Sequence, residues 1–152
     1  MHPDPALRDL EAHYQAMPPV ATMQLSIAAY DGSRLCLRAP LAAHVNDKGC
    51  AFGGSLGSLM TLAAWGLVTL RLQGAGIDAE VFVADSHVRY LAPLFADLEV
   101  EAELGGDASW IDFIATLREC GRARAQLLAR VCLPDGGVAA ECSARYVAIA
   151  KG

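Results

Sequence analysis

The stretch HVNDKGCAFGGSLGSLMTLAAWGLVTLRL, residues 44–72, decides how the rest of the chain is read. It opens as a polar turn, passes through Gly53-Gly54, and then carries no charge over residues 51–70. About 20 apolar residues are enough to span a bilayer. Here, however, Gly53, Gly54, Ser55, Gly57, Ser58, Thr61 and Gly66 dilute the hydrophobicity, and only Arg71 flanks the far end closely. That gives no orientation signal of the kind that marks membrane helices. A helix apolar on all sides is equally the mark of one buried in a protein core. The surrounding half-apolar strands need something to pack on, so a buried core helix is expected.

Upstream, Asp4 is placed to cap a helix with Pro5 at its first position. Leu7, Leu10, Tyr14 and Met17 fall on one helical stripe, and Pro18-Pro19 ends it. Residues 22–41, TMQLSIAAYDGSRLCLRAPL, alternate. Met23, Leu25, Ile27 and Ala29 are expected on one face, Asp31-Gly32 makes a turn, and Leu35, Leu37 and Ala39 resume the pattern.

Beyond the long helix, Gly74 and Gly76 are stop signals. In residues 80–94, EVFVADSHVRYLAPL, the alternation puts Phe82, Ala84, Ser86, Val88 and Tyr90 on one face, with Asp85, His87 and Arg89 on the other. DLEVEAEL (97–104) sends its acids out and Leu98, Val100, Ala102 and Leu104 in. SWIDFIATLRE (109–119) reads as a further strand. RARAQLLARVCL (122–133) turns at Pro134-Asp135-Gly136 into VAAECSARYVAIA (138–150). The final four strands, joined by short turns, are expected to form an antiparallel meander. The order is a helix, two strands, a long buried helix and about five strands. It is most simply satisfied by an α+β architecture in which one curved antiparallel sheet wraps the long helix, the hotdog fold. Helices do not alternate with strands, which disfavours a parallel α/β sheet. Residues 1–152 are expected to be a single domain.

Composition narrows the function. Apolar residues make up 54% and charged ones 19%, which leaves little spare polar surface, so self-association is expected. A net charge of -5 with no basic run argues against nucleic-acid binding. The five cysteines, 36, 50, 120, 132 and 142, include no CxxC pair, and no histidine completes a zinc site. Reduced thiols in a cytoplasmic protein, with no metal, is the expectation. The N-terminal residues are too charged for a signal peptide.

The segments NDKGCAFGGSL (46–56) and ADSHVRYLAPL (84–94) resemble the loop, central helix and following strand of hotdog acyl thioesterases. The closest resemblance is to the thioesterase domain family found fused to some bacterial acetyltransferases, the YiiD C-terminal domain family. It covers nearly the whole chain. The resemblance implies a homodimer, with a dimer of dimers as an option, whose sheets join edge to edge and whose two sites lie at the interface. It implies an acyl thioester of coenzyme A or of acyl carrier protein as ligand, with no cofactor beyond the coenzyme A of the substrate.

Thioester hydrolysis needs a polarised carbonyl, an activated nucleophile and room for an acyl chain. The N–H of Gly54 or Ser55, at a helix N-terminus, is a natural oxyanion donor, with Gly53 and Gly54 allowing close approach. The plainer reading is a tight turn with Ser55 as a cap. Asn46 either orients water or the carbonyl, or holds its own turn. Asp47 reads as an exposed turn residue.

Many hotdog thioesterases carry a carboxylate on the central helix. Here Ser58 and Thr61 stand in that region, residues 55–72 hold no acid, and Phe52 replaces a histidine common before the Gly-Gly pair. Asp85 is the candidate general base, or else a residue paired with a cation across the sheet. Ser86 is a candidate substrate contact or a core hydroxyl, and Phe52, Gly53, Ser58 and Thr61 are candidate substrate contacts. Phe52, Met60 and Trp65 are tunnel or core residues. His44, His87 and Cys50 are set aside as a loop residue, a polar-stripe residue and a loop thiol. Arg122, Arg124 and Arg130 are read as half of a charge ladder with Glu99, Glu101 and Glu103, or as phosphate binders. The alternatives to an acyl thioesterase are a non-hydrolytic acyl-thioester-binding hotdog protein and a hotdog hydratase or dehydratase.

Overall fold

The computed structural model describes residues 3–152. Its elements run α1 (Pro5–Ala16), α2 (Pro18–Ala21), β1 (Ser26–Tyr30), β2 (Arg34–Ala39), a 3-10 turn (Leu41–Ala43), α3 (Gly53–Gly74), β3 (Ala79–Tyr90), β4 (Leu98–Leu104), α4 (Trp110–Cys120), β5 (Arg122–Cys132) and β6 (Val138–Ala150). The six strands form one antiparallel sheet in the order β1-β2-β4-β5-β6-β3. The sheet curves around α3, so the fold is the hotdog fold. Asp4 caps α1 by accepting from Ala6 N at 2.9 Å, with Pro5 at the first position. Asp31 Oδ1 accepts from the amides of Ser33 and Arg34 and closes the β1–β2 hairpin.

α3 is the one helix among the described residues long and apolar enough to cross a membrane. Here its apolar residues are core. Leu59, Met60, Ala63, Leu67 and Val68 are fully buried, together with Leu35, Leu98, Leu127 and Tyr146 of the surrounding strands. α1 lies across the second half of α3 at Gly66, where a side chain would strike Tyr14, Leu35 and Leu10. The Tyr14 hydroxyl donates to Leu62 O at 2.7 Å, and burial holds its pKa well above the phenol range, so it stays a neutral donor.

Three expectations are corrected. Residues 110–120 are a helix, not a strand. Ser109 caps it by accepting from Asp112 N, and Gly121 ends it in the left-handed conformation at φ 72°. Trp110, Phe113, Ile114 and Leu117 face inward at helical spacing, with Phe113 and Leu117 buried. The run is rich in strand-forming side chains, but the caps and the 3–4 spacing prevail. Second, the meander is only β4 to β6, with α4 between β4 and β5. β3 crosses over to pair with β6 as the outermost strand.

Third, both edge strands carry a break in register, between Ile27 and Ala29 in β1 and between Val83 and Asp85 in β3. One extra residue turns everything beyond it to the other face. On β3 the row facing α3 is therefore Ala79, Val81 and Val83, then Ser86, Val88 and Tyr90. Phe82 lies on the outer side with Asp85, His87 and Arg89. On β1, Ile27 faces inward but Ala29 does not: it pairs with Cys36 on the outer row.

Candidate active site

Residues 44–52 form a closed loop on the way into α3. An isolated antiparallel bridge joins Val45 to Ala51, and Phe52 N donates to His44 O at 2.7 Å. Inside it, Asn46 Oδ1 accepts from Lys48 N at 2.8 Å and Cys50 N at 3.2 Å, while Nδ2 donates to Cys50 Sγ. Gly49 takes the positive φ of 82° that the turn requires. The Asn46 carboxamide thus holds its own loop, the second of its two expected roles, and none of these bonds aims it at the helix end. Ala51 N donates to Leu94 O, tying this loop to the segment after β3.

α3 starts at Gly53, with Phe52 as an N-cap whose side chain makes no capping bond. Ser55 N and Leu56 N both donate to Phe52 O, at 2.9 and 3.2 Å. The amides of Gly53 and Gly54 donate to no acceptor among the described residues. Of the two expected oxyanion donors, Gly54 therefore remains, Ser55 is engaged, and Gly53 joins. These free amides sit at the positive end of a 22-residue helix. Gly53 lines a hollow of about 290 Å³ together with Ala51, Leu56, Tyr90, Leu91 and Leu94. The Tyr90 hydroxyl donates to Gly53 O at 3.2 Å. Tyr90 and Leu91 of the hollow's lining are about half exposed, as are Val45 and Phe52 of the preceding loop, and Phe95, next after Leu94, is more so. The Phe52 ring covers Gly54 so closely that a Cβ there would lie 2.5 Å from it.

Among the other candidates, Gly53 and Phe52 are at this end of α3. Ser58 and Thr61 are half-buried further along the helix, where the Thr61 hydroxyl donates back to Gly57 O at 2.9 Å. Ser86 faces inward opposite Ala144, and its exposed position lies on the open edge strand. Met60 is fully buried core, and Trp65 is a strut whose Nε1 donates to Val81 O at 3.0 Å.

Asp85 is corrected as a base. It sits on the outer side of the sheet, where Arg145 Nε donates to both of its oxygens at 2.9 and 3.0 Å. The guanidinium holds the Asp85 carboxyl below its usual range, which makes it a poorer proton acceptor. Asp85→Ala is expected to leave turnover within about two-fold, because surface ion pairs are weak and this one lies away from the helix end. A ten-fold fall in kcat would restore it to the mechanism.

The outer face is otherwise a charge ladder. Arg34 reaches Glu103 at 3.0 Å and Glu101 at 3.6 Å, Arg38 pairs with Glu99 at 3.0 Å, Arg89 with Glu141 at 3.0 Å, and Arg130 with Glu101. His87 lies exposed among them.

One residue set aside in the sequence belongs to the site. His44 is 5% exposed, a buried polar side chain. Its Nδ1 lies 2.8 Å from Ser55 Oγ, and its Nε2 lies 2.8 Å from Met23 O. The available signal was the loop itself: a turn closing Val45 on Ala51 brings His44 alongside Phe52 and the first turn of α3.

Comparison with known proteins gives the family and the fold. A family model described as "Putative thioesterase (yiiD_Cterm)" matches residues 7–150. Among solved structures, a protein of unknown function from Chlorobaculum tepidum is similar at TM-score 0.91 and 27% identity, covering 98% of this chain and 97% of its own. A "putative thioesterase" from Shewanella oneidensis is similar at TM-score 0.86 and 29% identity, covering 95% and 97%. A Pseudomonas aeruginosa protein at TM-score 0.80 and 23% identity, covering 96% and 94%, speaks for the fold alone.

Proposed function

Since the chain belongs to the putative thioesterase (yiiD_Cterm) family, we propose that it hydrolyses acyl thioesters of coenzyme A or of acyl carrier protein. The observation that carries this reading is the pair of unengaged glycine amides at the N-terminus of α3, the first of them at the wall of a largely apolar hollow. A thioester carbonyl laid over that end has its oxygen against two N–H donors and the helix dipole. Such donors act on the charge that develops during attack, and one of them contributes roughly 10²–10³ in rate in other acyl-transfer enzymes. The apolar lining gives the acyl chain a surface to leave water for. The protein works without a metal: the groups that polarise the carbonyl are its own backbone.

The assembly is a homodimer joined through β3. That strand is 12 residues long, pairs on one side only, and exposes Phe82 and Val83 by about half. A long, apolar, unpaired edge calls for a partner strand. Pairing two copies of β3 brings Ser86 and Tyr90 of each near the neighbouring copy. Five unpaired cysteines fit a reducing cytoplasmic setting.

The test is free-thiol release from a panel of acyl-CoAs, short to long. Turnover concentrated on one chain-length class is the expected result. No release from any acyl-CoA or acyl carrier protein, with tight binding by calorimetry, would make the protein a carrier or sensor of these thioesters instead.

A further inference from the structure

We propose that Ser55 and His44 form a nucleophile and base, and that hydrolysis passes through an acyl ester on Ser55; this rests on the thioesterase reading above. The geometry assigns the protons. Met23 O has none to give, so the ring nitrogen facing it, Nε2, carries the hydrogen and donates. In the neutral ring Nδ1 is then a lone pair, and at 2.8 Å the Ser55 hydroxyl is its donor. A hydroxyl aimed at a base, with that base anchored through its other nitrogen, is the arrangement nucleophilic catalysis requires.

Three separate segments converge to make it: the turn before β1 supplies Met23, the loop supplies His44, and α3 supplies Ser55. An imidazole buried this deeply must have both nitrogens satisfied. Its partner Ser55 is the half-buried, open member of the pair. Helical side chains lean toward the N-terminus of their helix, so Ser55 Oγ points to the end that carries the free Gly53 and Gly54 amides. The pair also accounts for a central helix without a carboxylate. Residues 55–72 hold no acid because the base comes from the preceding loop.

The steps balance. Ser55 Oγ bonds to the thioester carbonyl carbon as its proton passes to His44 Nδ1. The imidazolium keeps its Nε2–H bond to Met23 O, and the oxyanion rests on the glycine amides. Collapse breaks the carbon–sulfur bond, and the departing thiolate takes the proton from Nδ1 to leave as free thiol. Water then gives a proton to Nδ1 as its oxygen bonds to the acyl carbon. Ser55 Oγ is expelled and recovers that proton. The sum is thioester plus water to carboxylic acid plus thiol.

The experiment uses the full chain. Rapid-quench mass spectrometry with the acyl-CoA panel is run beside labelling with a fluorophosphonate, a probe for activated serines. Ser55→Ala, Ser55→Cys and His44→Gln are compared, with circular dichroism to confirm that each is folded. The expected result is an acyl adduct and a fluorophosphonate label, both mapped to Ser55 and both absent in Ser55→Ala. Ser55→Cys is expected to keep forming the acyl adduct at that position. His44→Gln is expected to slow acylation by about 10²-fold or more, the usual worth of a positioned general base.

Thiol release that survives Ser55→Ala, with no adduct, overturns the pair and leaves the thioesterase standing. Turnover lost in Ser55→Ala without adduct or label also overturns it, and makes Ser55 a group that positions water. A labelled Ser55 with no thiol release supports the pair and removes thioesters as its substrate. Neither label nor release overturns both readings.

Discussion

Replacing Gly66 by Ala is expected to destabilise the protein by about 2 kcal/mol, although it puts a better helix former into the middle of α3. The propensity gain is about 1 kcal/mol. Against it, the new methyl would overlap the Tyr14 hydroxyl and stand 2.9 Å from Leu35 Cδ2 and 3.2 Å from Leu10 Cδ2. Tyr14, Leu10 and Leu35 are all buried, so none can swing aside into solvent. Overpacking of this kind costs roughly 1–3 kcal/mol. Moving Tyr14 also breaks the bond from its buried hydroxyl to Leu62 O and leaves that hydroxyl without a partner, a further loss of roughly 1–3 kcal/mol. The sum exceeds the propensity gain. Thermal melts followed by circular dichroism should show Tm lower by roughly 4–8 °C. Gly74→Ala is the control, since a Cβ there meets nothing within 4 Å. A Gly66→Ala protein as stable as the original would mean that α1 does not dock through this contact.

Val83→Lys is expected to convert the proposed dimer to monomer and to remove most of the turnover, while leaving the monomer folded. Val83 is 45% exposed on the open edge strand, on the row that faces α3, so within one copy it loses little by becoming charged. In an edge-to-edge pair two lysines would be brought together and desolvated, which is the device natural edge strands use against pairing. Sedimentation velocity reads the assembly, and thiol release reads the site. A monomer with full turnover would place the whole site within one chain. A dimer that survives the substitution would move the interface away from β3.

The helices and strands built on unbroken periodicity were legible in the sequence. Asp4-Pro5 starts α1, Asp31-Gly32 closes the hairpin, and the uncharged run after Gly53-Gly54 is the core helix. Each of these depends on neighbours within a few residues. Residues 109–119 read as a strand because Trp, Ile, Phe and Thr favour strands. The competing evidence, a Ser109 cap, a Gly121 stop and the 3–4 spacing of Phe113 and Leu117, was present but weaker than composition.

What the sequence by itself determined is the local part: an apolar helix, amphipathic strands, and a glycine pair at the helix entrance, each set by backbone preference and side-chain period. The tertiary structure alone decided which strand is outermost, and where the edge strands break register. The break between Val83 and Asp85 puts Phe82 on the outer side while Ser86 keeps its place facing α3. Tertiary structure also decided which side chains meet. Asp85, expensive in an apolar run, found Arg145 across the sheet, 60 positions away. His44 found Ser55 and the carbonyl of Met23, 21 positions before it, because closing the loop and docking it on the core brought them together. Periodicity describes a strand or helix against an averaged surroundings. A proton acceptor is made by particular atoms a few ångströms apart, and only the packed chain sets those distances.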